Sequence, residues 1–388
     1  MEQKHEHRHH HNPHIHHNHD NHHDHNHQHH DKEQHHEPNP ETAEPCSSLN
    51  PLTPEVQSTF STLKPFPKDI KDKFDPLYQN LPILGPYKYK NGDTYRGQYK
   101  HGVRTGFGTT VSKDSSICEG YWKNDLCEKY GRIVLADGTP YEGGFSHGSL
   151  DGIGTIRLPQ YCYQGQWHHN HQTGFGVQKW SSGTQYAGDW MNGKAEGFGL
   201  LENPNFFKFL GNFKEDNLDG WGMKELSDGQ NYIGEWKEGR KEGWGLHKTP
   251  NNRVFSGTWK EGHEDGWGIL RLPSGAVYVG EWRNGINHGW GFTKYSDGSK
   301  YVGEWKMGRK HGWGCFEGSD GEKYIGEYKD GQQHGKGYFE YPNGDKYKGD
   351  WREGKRKGWG VFEPSHGKEK YIGRFDNDKE DGYGVLVE

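Results

Sequence analysis

The residues whose chemistry is most evident are imidazoles. Seventeen of the 28 histidines fall between His5 and His36, and runs such as His9, His10, His11 and His14, His16, His17 offer the nitrogen donors that zinc or nickel take. A specific metal centre needs fixed geometry and outer partners that orient each ring. The Asn, Asp and Gln around these histidines supply no apolar core to fix anything, so residues 1–45 are read as a disordered, low-complexity tail and no metal site is assigned. Gly335 with Lys336 faintly resembles a phosphate loop, but no G-x-x-x-x-G-K-[S/T] run exists. His247, His288 and His311 stand apart from any nucleophile or carboxylate set. No catalytic residue and no cofactor is assigned, and the chain is expected not to be an enzyme.

Two other sets carry the chemistry of contact. Trp221, Trp244, Trp267, Trp290, Trp313 and Trp359 are large rings of the kind that anchor protein interfaces. Arg240 and Lys241, Arg309 and Lys310, and Lys355, Arg356 and Lys357 are clustered bases, which can hold phosphoinositide or other acidic lipid headgroups. Against a membrane role, the first 90 residues hold 9 bases and 13 acids, leaving 39 bases and 41 acids for the rest, so the C-terminal part is nearly neutral. The net charge of -6 gives no pull toward nucleic acid.

What must position these residues is set by an unusual composition. Only 29% of the chain is hydrophobic, 59 residues are glycine, and yet 14% are aromatic; mean hydropathy is -1.21. Such a chain does not bury one thick core, so its apolar area lies in rings spread along something thin. No apolar run approaches the roughly 20 residues that cross a bilayer, and the polar N-terminus is no signal peptide, so an intracellular protein is expected. Five cysteines (Cys46, Cys118, Cys127, Cys162, Cys315), odd in number and without CxxC spacing, are expected to be reduced.

From Tyr87 onward the chain repeats. An aromatic-x-Gly unit recurs at Tyr95, Cys118, Tyr141, Tyr163, Tyr186, Phe209, Tyr232, Phe255, Tyr278, Tyr301, Tyr324, Tyr347 and Tyr371, spaced by 23 residues save one 22 and one 24. Numbering each copy from its leading residue, glycine holds position 3 in all thirteen copies, position 14 in all thirteen, and position 12 in twelve. Position 8 is nine glycines, three aspartates and one asparagine, residues that accept positive φ, so a tight turn is placed there between two strands. Gly239 and Gly308 are such turn residues. Positions 1, 3 and 5 share one face, which puts Tyr301 and Trp305 on either side of Gly303. Glycines at positions 3, 12 and 14, such as Gly234, Gly243 and Gly245 or Gly303, Gly312 and Gly314, are expected to leave slots over which rings lie flat. Position 13 has the opposite parity, so its six tryptophans are expected to line the other face as a ladder.

A second turn glycine stands three residues before most leading aromatics: Gly92, Gly138, Gly183, Gly229, Gly275, Gly298, Gly321 and Gly344. Hairpins joined by hairpins give an all-β fold, an elongated antiparallel β-hairpin meander in one open, solenoid-like layer over residues 87–388. At about 4.8 Å per strand it would extend roughly 120 Å. Residues 46–86 form a proline-rich linker with helix starts at Thr53–Pro54 and Asp75–Pro76, and two readings stand side by side: one of these helices docks on the first repeat as a cap, or the segment is an irregular tether carrying Lys64, Lys68, Lys71 and Lys73.

The unit Y-x-G-x-W-x-x-G-x-x-x-G-x-G, met as YIGEWKEGRKEGWG from Tyr232 and YVGEWKMGRKHGWG from Tyr301, closely resembles the MORN repeat. The resemblance covers about three quarters of the chain. Copies two and thirteen depart most, through Cys118, Lys129, Phe375 and Asp378, and are expected to be less regular. The resemblance implies a non-catalytic scaffold docking other proteins in a ciliary (radial-spoke-like) or other cytoskeletal assembly, in cytoplasm, cytoskeleton or cilium. Some MORN arrays stand beside lipid-kinase or methyltransferase domains, and neither is present here. Phosphoinositide binding through the basic loops is the alternative it leaves open, with association of two chains through the last strand's open edge a further expectation.

Overall fold

The computed structural model describes residues 43–45, 48–367 and 369–387. The expectations for the histidine-rich tail, and for Cys46, lie outside the described residues. Among the described residues, twenty-eight strands, β1 (Ala43–Pro45) to β28 (Lys379–Val387), form one sheet in which each strand pairs antiparallel with the next in the chain. β1 and β2 (Ile83–Tyr89) precede the first copy, and the thirteen copies supply two strands each.

Copy ten shows how sequence becomes geometry. β21 (Lys300–Lys306) and β22 (Arg309–Glu317) are joined by Met307 and Gly308, both left-handed, with φ of 50° and 76°. Two such residues make the two-residue turn whose twist matches the strands. Position 7 therefore takes positive φ as well as position 8, a demand that the glycines alone did not reveal. Between copies, Ser115 and Asn252 take the left-handed seat where glycine is missing, with φ of 72° and 60°.

Gly303 lies opposite Gly314 on one side and Gly291 on the other. The same pairing runs without a break from Gly97 to Gly384, a stripe of bare backbone crossing every copy. A Cβ on Gly303 would stand 2.5 Å from the Gly314 Cα, and one on Gly314 would stand 2.5 Å from Cε2 of Tyr301. The Tyr301 ring thus lies flat across the glycine pair of its own hairpin, and its hydroxyl donates to the Glu304 carbonyl at 3.0 Å. Position 12 does something else. Gly312 has φ of 53° and sits in a bulge, because the register jumps from Gly303–Gly314 to Glu304–His311 and leaves Gly312 and Trp313 without partners on β21. Its glycine is required by backbone conformation; the expectation of a third ring slot at Gly312, and equally at Gly243, is corrected.

One face of the sheet holds the core. Tyr301 meets Trp305 edge to face at 5.3 Å and Tyr328 of the next copy at 5.3 Å, while Trp305 meets Tyr278 of the previous copy at 5.6 Å. From Trp167 to Phe375 each position-5 ring is so wedged between two position-1 rings, a geometry worth about 0.5–1.5 kcal/mol per pair beyond area burial; Trp122 and Phe145 have Cys118 on one side instead. Copy two keeps this register: Gly120 opposes Gly131, and Lys129 takes the bulge at φ 66° in place of glycine. The expected irregularity there is absent because the turn and the stripe glycines are intact.

Residues 48–82 close the N-terminal copies. Helix α1 (Pro54–Thr62) starts at Thr53, whose hydroxyl accepts the Val56 N–H at 3.3 Å, and Val56 is buried against Val111, Ile117 and Val134. Helix α2 (Lys68–Phe74) lies earlier than the expected start at Asp75–Pro76. The Asp75 N–H bonds to the Lys71 carbonyl and so closes α2, and Asp75–Leu77 form only a 3-10 turn.

Candidate partner-binding face

The face opposite the core is built around position 13. In copy ten the bulge turns Trp313 outward, and the Glu304 carboxylate at position 4 accepts the Trp313 N–H at 3.0 Å. Glu235 does the same for Trp244, Glu281 for Trp290 and Asp350 for Trp359. The acid at position 4 therefore holds a backbone amide that the bulge frees from the ladder, a role that its alternation with a base two residues later does not disclose. Trp221, Trp244, Trp267, Trp290, Trp313 and Trp359 are 51–60% exposed, whereas the position-5 tryptophans are buried.

Beside this ladder runs a second row from positions 2 and 15, in which Val302 opposes Cys315, Cys315 opposes Ile325 and Val361 opposes Ile372. Ile233, Leu246, Ile269, Val302, Ile325 and Ile372 are exposed. Where the ladder has Lys336 in place of a ring, a trough of about 710 Å³ opens between Trp313 and Trp359, lined also by Ile325, Tyr338, Val361 and Ile372. Lys336 is paired there with Asp350.

The basic candidates do not form one surface. Position 8 ends the turn, so position 9 points outward and position 10 points into the ring face. Lys310 holds its Nζ 4.0 Å over Phe316 and 5.0 Å over Tyr301, and burial pushes its pKa down to about 8. Lys241 stands 4.4 Å over Trp259, also pushed down to about 8 by burial. Arg356 covers Phe375 at 5.1 Å and donates to the Asp378 carbonyl at 2.5 Å. These three are corrected from lipid-facing loop residues to cations capping the core. Arg240, Arg309, Lys355 and Lys357 remain exposed, and Lys357 is 3.0 Å from the Asp376 carboxylate.

Among the array histidines, burial and the cations Lys241 and Arg253 hold His247 down to about 4. One group that sequence spacing missed is Asp151, His168 and His169, whose ligand atoms lie within 4.8 Å of one another among the described residues, with His168 Nδ1 2.9 Å from Asp151. Asp151 is seventeen residues from His168, and only strand register brings them together. Both histidines are exposed, His168 already shares its Nδ1 with the carboxylate, and no role is assigned to the trio.

Fold and face together define an open repeat array with a buried ring ladder on one side and an exposed one on the other. The chain belongs to the MORN-repeat family: the MORN repeat model matches at 95–117, 118–139, 141–162, 163–185, 186–205, 232–251, 255–277, 278–300, 301–323, 324–346, 347–363 and 371–387. These twelve matches omit the copy led by Phe209, which folds as the same hairpin with Gly211 opposite Gly222. No curated protein matches the chain. Solved structures that it resembles include the TCP domain of Drosophila melanogaster SAS-4 (dCPAP) in complex with a proline-rich motif of Ana2 (dSTIL), at 13% identity and a TM-score of 0.25, covering 40% of this chain and 85% of that one. The TCP10 domain of Danio rerio CPAP is similar at 12% identity and a TM-score of 0.15, over 62% and 93%. Likeness this low says nothing about partners of this chain.

Proposed function

We propose that this protein is a non-catalytic scaffold that docks other proteins along its exposed tryptophan ladder, in a ciliary or other cytoskeletal assembly. The observation that carries the docking role is six half-exposed tryptophans at one period, flanked by an exposed aliphatic row. A continuous apolar face of this kind marks an interaction surface on a water-facing protein. The ciliary or cytoskeletal setting is supported by membership of the MORN-repeat family. No helix among the described residues is long and apolar enough to cross a membrane. The lipid reading loses support because Lys241, Lys310 and Arg356 face the core.

The test is affinity capture with mass spectrometry from ciliated cells. The intact chain is compared with a variant carrying Trp244→Ala, Trp267→Ala and Trp290→Ala, alongside imaging of both. Partners lost from the variant, together with a cytoskeletal location of the intact chain, are expected. An unchanged partner set refutes docking on this face.

A further inference from the structure

We infer that the slot between Trp221 and Trp244 takes an aromatic side chain presented from extended backbone by a partner segment that carries lysines beside it. The inference rests on the docking reading above and adds the partner's chemistry. The chain itself displays the mode of binding at its N-terminal copies. Phe107 and Tyr130 hold position 13 in copies one and two, the rungs equivalent to Trp221 and Trp244. Between them lies Phe66, 7% exposed, edge to face at 5.0 Å from Phe107 and 5.7 Å from Tyr130. Phe66 comes from residues 64–67 just before α2, a stretch outside helix and strand with ψ of 140° at Leu63 just before it and 130° at Pro67 at its end, and its Lys64 carbonyl accepts from Arg132 at 2.5 Å. Lys71 then lays its Nζ 5.1 Å over the Phe107 ring. One ring between rungs, with a lysine over the ring beside it, is thus an arrangement that this face accommodates.

Downstream the same rungs are open. A cleft of about 540 Å³ beside Trp221 is lined by Glu215, Asp219, Glu235, Glu238 and Glu242, against Lys214 and Lys237. This excess of acid matches lysines on an incoming segment, and a tryptophan face attracts a cation more strongly than a phenylalanine face. The choice of slot follows from the cleft together with position 11. Asp219, Glu242 and Asp265 stand there beside Trp221, Trp244 and Trp267, whereas the rungs from Trp290 onward have His288, His311, His334 and Lys357; of the three acidic rungs, the cleft opens beside Trp221.

The probe is a synthetic peptide with the sequence of residues 64–74, KPFPKDIKDKF, offered in trans to the full-length chain. Fluorescence polarisation of the labelled peptide measures binding, and a benzophenone in place of the Phe66 ring maps its seat by crosslinking. Submillimolar binding, about tenfold weaker for the Phe66→Ala peptide, is expected. Asp219→Asn with Glu242→Gln weakens binding several-fold and flattens its salt dependence, Trp221→Ala with Trp244→Ala removes it, and crosslinks fall on copies six and seven. Hydrogen exchange of each variant verifies that the hairpins remain folded. No saturable binding, crosslinks confined to the Phe107–Tyr130 slot or to the Trp313–Trp359 trough, or indifference to the acid substitutions overturns the inference. If the peptide fails while the ladder substitutions still abolish capture of cellular partners, only the partner chemistry falls; if capture also survives those substitutions, the docking reading falls with it.

Discussion

Gly314→Ala tests whether the glycine stripe exists to seat rings. The added Cβ would stand 2.5 Å from Cε2 of Tyr301, where ordinary contact begins near 3.4 Å, so the ring must move by about 1 Å. It cannot do so freely, because it is fully buried between Trp305 and Tyr328. Overpacking costs about 1–3 kcal/mol, and loosening two edge-to-face contacts adds about 0.5–1.5 kcal/mol each, for a total of about 2–6 kcal/mol. Tyr301→Ala alone costs about 3–5 kcal/mol through the cavity it leaves. In that background the Tyr301 clash is gone, as it is at Gly131 of copy two, where Cys118 leads and an added Cβ would stand 3.1–3.3 Å from its nearest neighbours, and alanine is favoured over glycine in a strand by about 0.5–1 kcal/mol. The two substitutions are therefore expected to be strongly non-additive, with a coupling of about 2 kcal/mol or more. Because a repeat array opens locally, the free energies are read by hydrogen exchange in residues 300–317 rather than from one global transition. Additive costs, or a Gly314→Ala penalty that persists without the Tyr301 ring, refute the reasoning.

The two tryptophan sets should separate in kind: Trp305→Ala is expected to cost about 3–5 kcal/mol locally, and Trp313→Ala about 1–2 kcal/mol while reducing partner capture, measured by hydrogen exchange and affinity capture on the same variants. Lys310 has a folded pKa near 8 against an ordinary 10.5. Between those values the unfolded chain binds more protons, so its contribution to stability is expected to rise with pH from about 8 toward 10, and denaturant titrations of Lys310→Met should show a smaller rise, the share of the similarly shifted Lys241 remaining. Above pH 10 the sign reverses, since burial raises the pKa values of tyrosines such as Tyr301 and Tyr328 and unfolded tyrosines ionise first. Cys118 and Cys127 are free, with sulfurs 3.7 Å apart. Mild oxidation with diamide is expected to join them, seen as a crosslinked peptide pair in mass spectrometry, and Cys127→Ser should prevent it.

Much of this architecture was legible because the period repeats local demands. Gly303 and Gly314 named the ring slot, Gly308 named the turn, and the parity of Trp313 named the outer face. What escaped depended on register. Gly312 looked like another slot glycine because nothing in the sequence marks a bulge that leaves two residues unpaired. Lys310 looked like a loop base because its direction depends on where the turn ends. Phe66 gave no signal, since its contacts with Phe107 and Tyr130 are tertiary and span 41 and 64 residues. The cluster of Asp151 with His168 was hidden for the same reason.

The unbroken succession of pairings, each strand joined only to its neighbours in the chain, has a mechanical consequence. Tension between the ends loads the hairpins so that their hydrogen bonds part in turn, and each copy can yield without disturbing the packing of distant ones. One 23-residue copy fully drawn out spans about 80 Å, against about 10 Å in the folded sheet, so each release lengthens the protein by roughly 70 Å. An assembly tethered through this chain would have an extensible link that gives way in equal steps and re-forms one hairpin at a time.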